Sequence, residues 1–220
     1  MLTIYHGSNK IIKEPDYDIN NNNNDFGQGF YTSINSELAK EWAVKNGQNG
    51  FLNEYILDTN KLDILDLTNP SYNILNWVAC ILKFRRIDIT SRQTLLGIVY
   101  LINNYYIDIN KYDLIFGYRC DDSHFKIVTD FLENKISFNK LSHFFMKDKD
   151  SKQLVLISKK AYSKLKFISY SIVKSKYYSS ISINRDINIR LHYQELKNTP
   201  NNEDDIYLED IMRRKDKNAY

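Results

Sequence analysis

Short alternating apolar stretches and longer 3.6-period stretches follow one another along the chain without a regular βαβ rhythm. Leu2 to Tyr5 is an apolar run ending at His6-Gly7-Ser8, which predicts a strand delivering His6 to its end. Residues 9 to 26 read as a loop, with Pro15 and the Asn20–Asn24 run as breakers. Gly29 to Thr32 predicts a second strand. Asn35 or Ser36 then caps a helix through about Lys45, with Leu38, Ala39, Trp42 and Ala43 on one face and Gly47 as its stop. Phe51 to Leu57 predicts another strand and Leu62 to Leu67 a further one.

Two longer helical patterns come next. Tyr72 to Lys83 groups Ile74, Trp77, Val78 and Ile81, and Ser91 to Asn103 groups Leu95, Ile98, Val99 and Ile102. Tyr112 to Phe116 predicts a strand ending at Gly117. Asp122 or Ser123 can cap a helix to Glu133, and Ser137 or Asn139 a shorter one. Gln153 to Ile157 predicts an apolar strand, followed by a helix near Ser158 to Lys164. Strands scattered among helices give the fold class α+β.

Beyond Phe167 the apolar pattern thins. Between Lys160 and Lys197 eight Lys or Arg face only Asp186 and Glu195, with Tyr170, Tyr177, Tyr178 and Tyr193 interleaved. The expected organisation is therefore a domain over 1–167 and a basic, Tyr-rich helical extension over 168–220. That stretch reads either as a solvated helical face or as a surface for a target or nucleic acid.

Composition narrows the function classes. Apolar residues make up 43% of the chain, enough for a sizeable core, and the net charge of +3 does not diagnose a polyanion partner. No apolar run approaches the roughly 20 residues that span a bilayer, so no membrane partner is expected. The first residues lack the charged and apolar regions of a signal peptide, and Cys80 and Cys120 have neither metal-ligand nor disulfide-framework spacing. A reduced, cytoplasmic protein without a metal is the expectation. His124 and His143 read as structural or exposed.

Glycine is scarce, seven residues in all, and three of them lie in Tyr5-His6-Gly7-Ser8 and Gly27-Gln28-Gly29-Phe30-Tyr31-Thr32-Ser33. Glycine serves where backbone takes unusual dihedrals or approaches a ligand closely. A histidine beside one such segment and a tyrosine after the other point to a pocket for a polar, ring-bearing small molecule. Gly27 and Gly29 also fit an ordinary bend or bulge. Gly27-Gln28-Gly29 lacks the third glycine and the preceding strand of a dinucleotide fingerprint. Trp42 fits core packing as well as a pocket wall. Arg119 with Asp121 and Asp122 fits an ion pair plus helix cap, or a guanidinium for phosphate.

The His-Gly-Ser turn followed by Gly-x-Gly-aromatic-Tyr resembles the ADP-ribosyltransferase superfamily, in its diphtheria-toxin and poly(ADP-ribose)-polymerase branch with a His-Tyr-Glu triad. More narrowly, the chain looks like an uncharacterised bacterial family of small stand-alone domains of this type. Ser36 to Ala43, Gly117 to Ser123 and Lys152 to Ser158 extend the resemblance over about residues 1–167, with fainter similarity near Arg185-Asp186 and Arg190. It implies a split β-sandwich of two small, mostly antiparallel sheets flanked by helices. It also implies NAD as co-substrate and a macromolecular acceptor, protein or nucleic acid. Bacterial relatives of this kind act as toxins or anti-phage effectors, so an antitoxin protein is a further expected partner. By resemblance His6 holds the adenosine ribose, Gly7 offers backbone groups to the nicotinamide carboxamide and Tyr31 stacks on its ring. Trp42 supplies a second aromatic wall, and Ser8, Gly29, Arg119 and Asp122 complete the NAD contacts.

At the third triad position the chain departs from the pattern. Where a glutamate opens the late strand, Gln153 stands, and an amide carries no net charge and is no general base. Asp121 and Asp122, and less so Asp150, are the substitute carboxylates. The readings left by the sequence are ADP-ribosyl transfer, NAD hydrolysis, or a non-catalytic NAD- or ADP-ribose-binding module.

Overall fold

The structure, a computed structural model, describes residues 1–18, 24–44, 47–89, 91–147 and 151–214. Two small sheets form its centre. β1 (Leu2–Ser8), β3 (Gly50–Leu57) and β7 (Leu165–Val173) make an antiparallel sheet in the order β1-β3-β7. β2 (Phe30–Thr32), β6 (Lys152–Leu156), β5 (Leu114–Tyr118) and β4 (Ile64–Asp66) make the other, in the order β2-β6-β5-β4, with β4 and β5 the parallel pair. The fold is α+β, two small and mostly antiparallel sheets flanked by helices, as the sequence predicts.

Strand alternation divides the core. Ile4, Tyr55 and Leu57 from one sheet meet Phe30, Leu114, Leu154 and Leu156 from the other between the two layers. The opposite parity of the four-stranded sheet, Ile115 and Val155, faces the larger apolar cluster. That cluster is built with α2 (Ile74–Phe84), α3 (Arg92–Tyr105), α4 (Asp122–Leu132) and α5 (Phe138–Lys147). Trp77 of α2 is fully buried there, and its indole N–H donates to the Tyr118 carbonyl at 3.0 Å.

α1 (Ser36–Ala43) lies on the outer face of the three-stranded sheet. Asn35 caps it, its side-chain oxygen accepting from the Glu37 and Leu38 amides at 3.0 and 3.4 Å. Two glycines on adjacent strands set the depth of this seat. A Cβ on Gly7 would stand 1.8 Å from the Ala39 carbonyl oxygen, and one on Gly50 would stand 1.9 Å from that of Ala43. The helix backbone therefore rests directly on the strands, and no other residue leaves that room.

Several elements differ from the sequence expectation. β1 does not end at His6 but continues through Gly7 and Ser8, paired with Leu52 and Phe51. α1 ends at Ala43; the expected terminus at Lys45 lies outside the described residues, as do most of the Asn20–Asn24 run and Asp150. The cap of α4 is Asp121, one residue before the expected Asp122. α3 buries Thr94, Gly97, Leu101 and Tyr105, whereas Leu95 and Val99 of the expected face are 42% and 46% exposed. Gly97 decides that rotation, because the Leu208 side chain packs where its Cβ would be.

β7 is a strand absent from the sequence prediction, and it runs across the boundary expected at 167–168. Between β6 and β7 lies the short α6 (Lys159–Ser163); after β7, α7 (Ser175–Asn198) packs on α1, α4 and α5, and α8 (Leu208–Arg214) packs on α3. Tyr193 of α7 donates its hydroxyl to the fully buried Asp130 carboxylate at 2.6 Å, and Lys197 reaches the same oxygen at 2.9 Å. The C-terminal segment is thereby tied into the core. No described helix is long and apolar enough to cross a membrane.

Gly50→Ala tests the seat of α1. With Ala43 in the way, the helix must lift or the strand must shift, at a cost of about 1–3 kcal/mol. Urea denaturation of the variant should show this loss, and a midpoint equal to that of the unsubstituted protein would mean the helix adjusts freely.

Candidate functional site

Sheet pairing sets the geometry at His6. β1 and β2 touch through one isolated bridge: the Tyr5 amide donates to the Ser33 carbonyl at 2.8 Å, and the Ser33 amide to that of Tyr5 at 2.9 Å. Two residues further along the same antiparallel register, Gly7 lies opposite Tyr31. No second bridge forms among the described residues, and the His6 ring takes the Tyr31 carbonyl instead, Nδ1 donating at 2.7 Å. Gly7 has the same parity as Tyr5, so its N–H and C=O turn toward β2 without a ladder partner there. The two sheets split at this point.

Because a carbonyl can only accept, His6 carries its proton on Nδ1 and leaves Nε2 as the acceptor. The ring lies against Phe30, with centroids 4.5 Å apart. Burial lowers the His6 pKa and outweighs the hydrogen bond to Tyr31, which raises it.

Alternation along β2 sends Phe30 between the sheets and Tyr31 to the opposite face. The imidazole and the phenol therefore lie on opposite faces of β2 and touch only through main chain, where the sequence reading expects the two rings to converge on one ligand. The Tyr31 hydroxyl donates to the Gly27 carbonyl and accepts from the Phe26 amide, both at 2.9 Å. It ties down the turn in which Gly27 adopts φ +70°. Burial pushes its pKa far up.

Gln153 shares the Tyr31 side of the sheet and is 3% exposed. Its amide nitrogen donates to Asp25 Oδ2 at 2.7 Å and to the Tyr118 carbonyl at 3.2 Å. The same Asp25 oxygen accepts from the Cys120 amide at 3.0 Å, and Arg85 Nη1 stands 3.2 Å from the other. The Arg85 guanidinium also donates to the Cys120 carbonyl and lies over the Phe125 ring at 4.5 Å. Burial raises the Asp25 pKa, opposed by its bonds to Gln153 and Cys120 and by Arg85. The Asp25–Phe26–Gly27 segment thus contacts both Tyr31 and Gln153.

Asp25 is the carboxylate that contacts Gln153, and its only sequence signal is its place just before Phe26-Gly27. The expected substitutes stand elsewhere. Asp121 is occupied as the α4 cap, bonded by Ser123 and His124 and 3.3 Å from Arg119. Burial pushes its carboxyl up, but His124 and Arg119 hold it well below the usual carboxylate range. Asp122 has its side chain 94% exposed, at 3.5 Å from Arg85.

The remaining predicted residues divide. Gly29 is glycine because β6 presses on it: a Cβ would stand 2.6 Å from Val155 Cγ1. Ser8 closes β1 and accepts from the Lys10 amide at 3.2 Å. Trp42 is half-buried beneath the Arg119 guanidinium, 5.4 Å from its ring centre. Arg119 opens a cleft of about 320 Å³, lined also by Glu41, Asp121, Arg185, Asp186 and Arg190. Glu41, with 2% of its side chain exposed, is ion-paired to Arg185 and is a second residue the sequence argument passed over. Glu41 Oε2, Arg119 Nη1 and Arg185 Nη1 are buried there without a hydrogen-bond partner among the described residues. The described residues contain no group of three or more His, Cys, Asp or Glu that could hold a metal ion.

A family described as a protein of unknown function, DUF3990, matches residues 2–167. The chain belongs to that family. No curated protein and no solved structure matches it. The DUF3990 region carries His6, Asp25, Tyr31, Arg119 and Gln153, whereas Arg185, Asp186 and Arg190 of the cleft lie beyond it, on α7.

The Tyr31 tether gives one test. Tyr31→Phe strands the buried Phe26 amide, which should cost about 1–3 kcal/mol in urea denaturation; an unchanged midpoint would mean water replaces the hydroxyl. His6 gives another. With its folded pKa below 6.5, the unfolded chain binds the extra proton, so stability is full above about pH 6.5 and falls as pH drops through the folded value. Denaturation midpoints should decline more between about pH 7.5 and about pH 5 for the unsubstituted protein than for His6→Gln, as a pH series would show.

Proposed function

We propose that this DUF3990 protein is an NAD-dependent mono-ADP-ribosyltransferase acting on a macromolecule, a cytoplasmic toxin or anti-phage effector. The observation that carries the reading is the split between β1 and β2, where a histidine replaces the next ladder bond and a glycine turns its backbone donor and acceptor to the gap. NAD supplies the ADP-ribosyl group through its nicotinamide–ribose bond.

These residues fit such a ligand. A carboxamide, with one donor and one acceptor, matches the N–H and C=O of one strand residue, and Gly7 presents that pair at the open edge. α1 already explains why residue 7 is glycine, so the ligand argument rests on its backbone groups and not on the missing side chain. His6 Nε2, the nitrogen not bonded to Tyr31, is a fixed acceptor for a sugar hydroxyl. Tyr31 offers a half-buried ring on the opposite face of β2 from His6, secured by the Phe26–Gly27 turn, so a ligand that meets both lies across the open edge of β2. The Arg119–Trp42 pair at the neighbouring cleft suits a phosphate and a flat base.

Gln153 favours a second reading. Its amide nitrogen is committed to Asp25 and Tyr118, and it brings no charge of its own to a developing cation. A protein that binds NAD with little turnover, or that hydrolyses it with water as acceptor, agrees with that feature.

Incubation of the purified protein with NAD labelled in its adenylate portion, with and without bacterial lysate, separates the readings. Label on protein or nucleic acid supports transfer. Nicotinamide release without label transfer indicates hydrolysis, and binding without release indicates the module. His6→Ala should weaken NAD binding by about tenfold, about 1.4 kcal/mol, against little change for Lys10→Ala in isothermal titration. Equal effects from the two would remove the pocket from this split.

A further inference from the structure

The Gln153 amide can be oriented from its neighbours. Tyr118 offers it a carbonyl, which only accepts, and Asp25 offers an oxygen that already accepts from Cys120. Both contacts call for the nitrogen, at 3.2 and 2.7 Å, so Nε2 must face inward and Oε1 must face away. An uncharged side chain is thus locked as a directed acceptor. A glutamate in this place would set a carboxylate oxygen against the Asp25 carboxylate and the Tyr118 carbonyl, three acceptors with no proton among them. Charged Asp25 and charged glutamate at 153 exclude one another.

We propose that Asp25 is a positioning residue of the NAD site: it holds the Gln153 carbonyl oxygen toward the ligand and places a negative charge one hydrogen bond behind it. This rests on the ADP-ribosyltransferase reading above. The site then keeps its carboxylate, moved from the late strand to the loop before β2, with the amide between carboxylate and sugar. The amide dipole is aligned with its positive end on Asp25 and its negative end outward, the polarity that favours a sugar hydroxyl and a developing cation. Arg85 is the partner that holds the carboxylate in place: its guanidinium bonds both Asp25 and the Cys120 carbonyl, which fixes the loop against the start of α4.

Reciprocal exchange tests the pair. Asp25→Asn, Gln153→Glu and the double variant are compared with the unsubstituted protein for melting temperature without ligand, NAD-induced shift in melting, and kcat and KM for nicotinamide release. Gln153→Glu should lower the melting temperature. Asp25→Asn should reduce kcat at least about tenfold while KM changes less than about threefold, the pattern of a lost transition-state interaction. The double variant, with the amide now on residue 25 and the carboxylate on 153, should regain part of the melting temperature lost in Gln153→Glu, since the Cys120 amide and the Tyr118 carbonyl still lack their partners, and should recover kcat. Unaltered kcat in Asp25→Asn overturns the proposal. So does an exchanged pair that regains melting temperature while kcat stays as low as in Asp25→Asn, which makes the contact structural only. Should Asp25→Asn not fold, the exchanged pair decides by itself on the same criterion. If the unsubstituted protein neither shifts its melting with NAD nor releases nicotinamide, the NAD reading falls and this inference falls with it.

Discussion

Everything at the candidate site follows from where the β1–β2 pairing stops. A second pair of ladder bonds between Gly7 and Tyr31 would extend the contact between the two sheets and leave no open edge between β1 and β2 there. Instead, His6 takes the Tyr31 carbonyl that the ladder would use. One side chain thereby converts a strand pair into a gap, and it is held in its neutral form by the same enclosure that sets its tautomer. The helix on the other face contributes equally. Because α1 rests on Gly7 and Gly50, β1 is clamped from its outer face while its free edge remains bare.

Elements with strong local signals were legible from the residues alone. The Asn35 cap, the helix over Ile74–Phe84 and the strands around Tyr31 and Gln153 were foreseen within a few positions. β7 was not, because it is a sheet-edge strand with a register shift at Glu54/Tyr55, so its alternation is broken and most of its side chains face solvent. The face of α3 was misjudged for a related reason: apolar residues occupy more than one of its sides, and only the contact of Gly97 with Leu208, far along the chain, selects between them.

Site residues were legible in proportion to how local their partners are. His6, Tyr31 and Gln153 were singled out by the segments around them, which lie on strands or at their ends. Asp25 was not, since an acid beside an Asn run reads as solvated loop. It is buried by Arg85, Cys120 and Gln153, which stand 60, 95 and 128 residues away in sequence. Glu41 was hidden likewise, on a helix whose apolar pattern accounts for its neighbours, with a counter-ion on α7 that no local window contains. The amide at 153 and the carboxylate at 25 are bonded to one another, a contact visible only in three dimensions.

β7 also bears on modularity. The family match ends at Phe167, within the strand that begins at Leu165 and runs to Val173. A fragment trimmed to that limit would keep the residues opposite Leu57, Ile56 and Tyr55 but lose those opposite Gly50 through Glu54. The stretch of β3 behind His6 and Gly7 would become a bare border, open to pairing with any passing chain. The autonomous unit is therefore longer than the stretch the family match covers, and a shortened clone would report on aggregation instead of on chemistry.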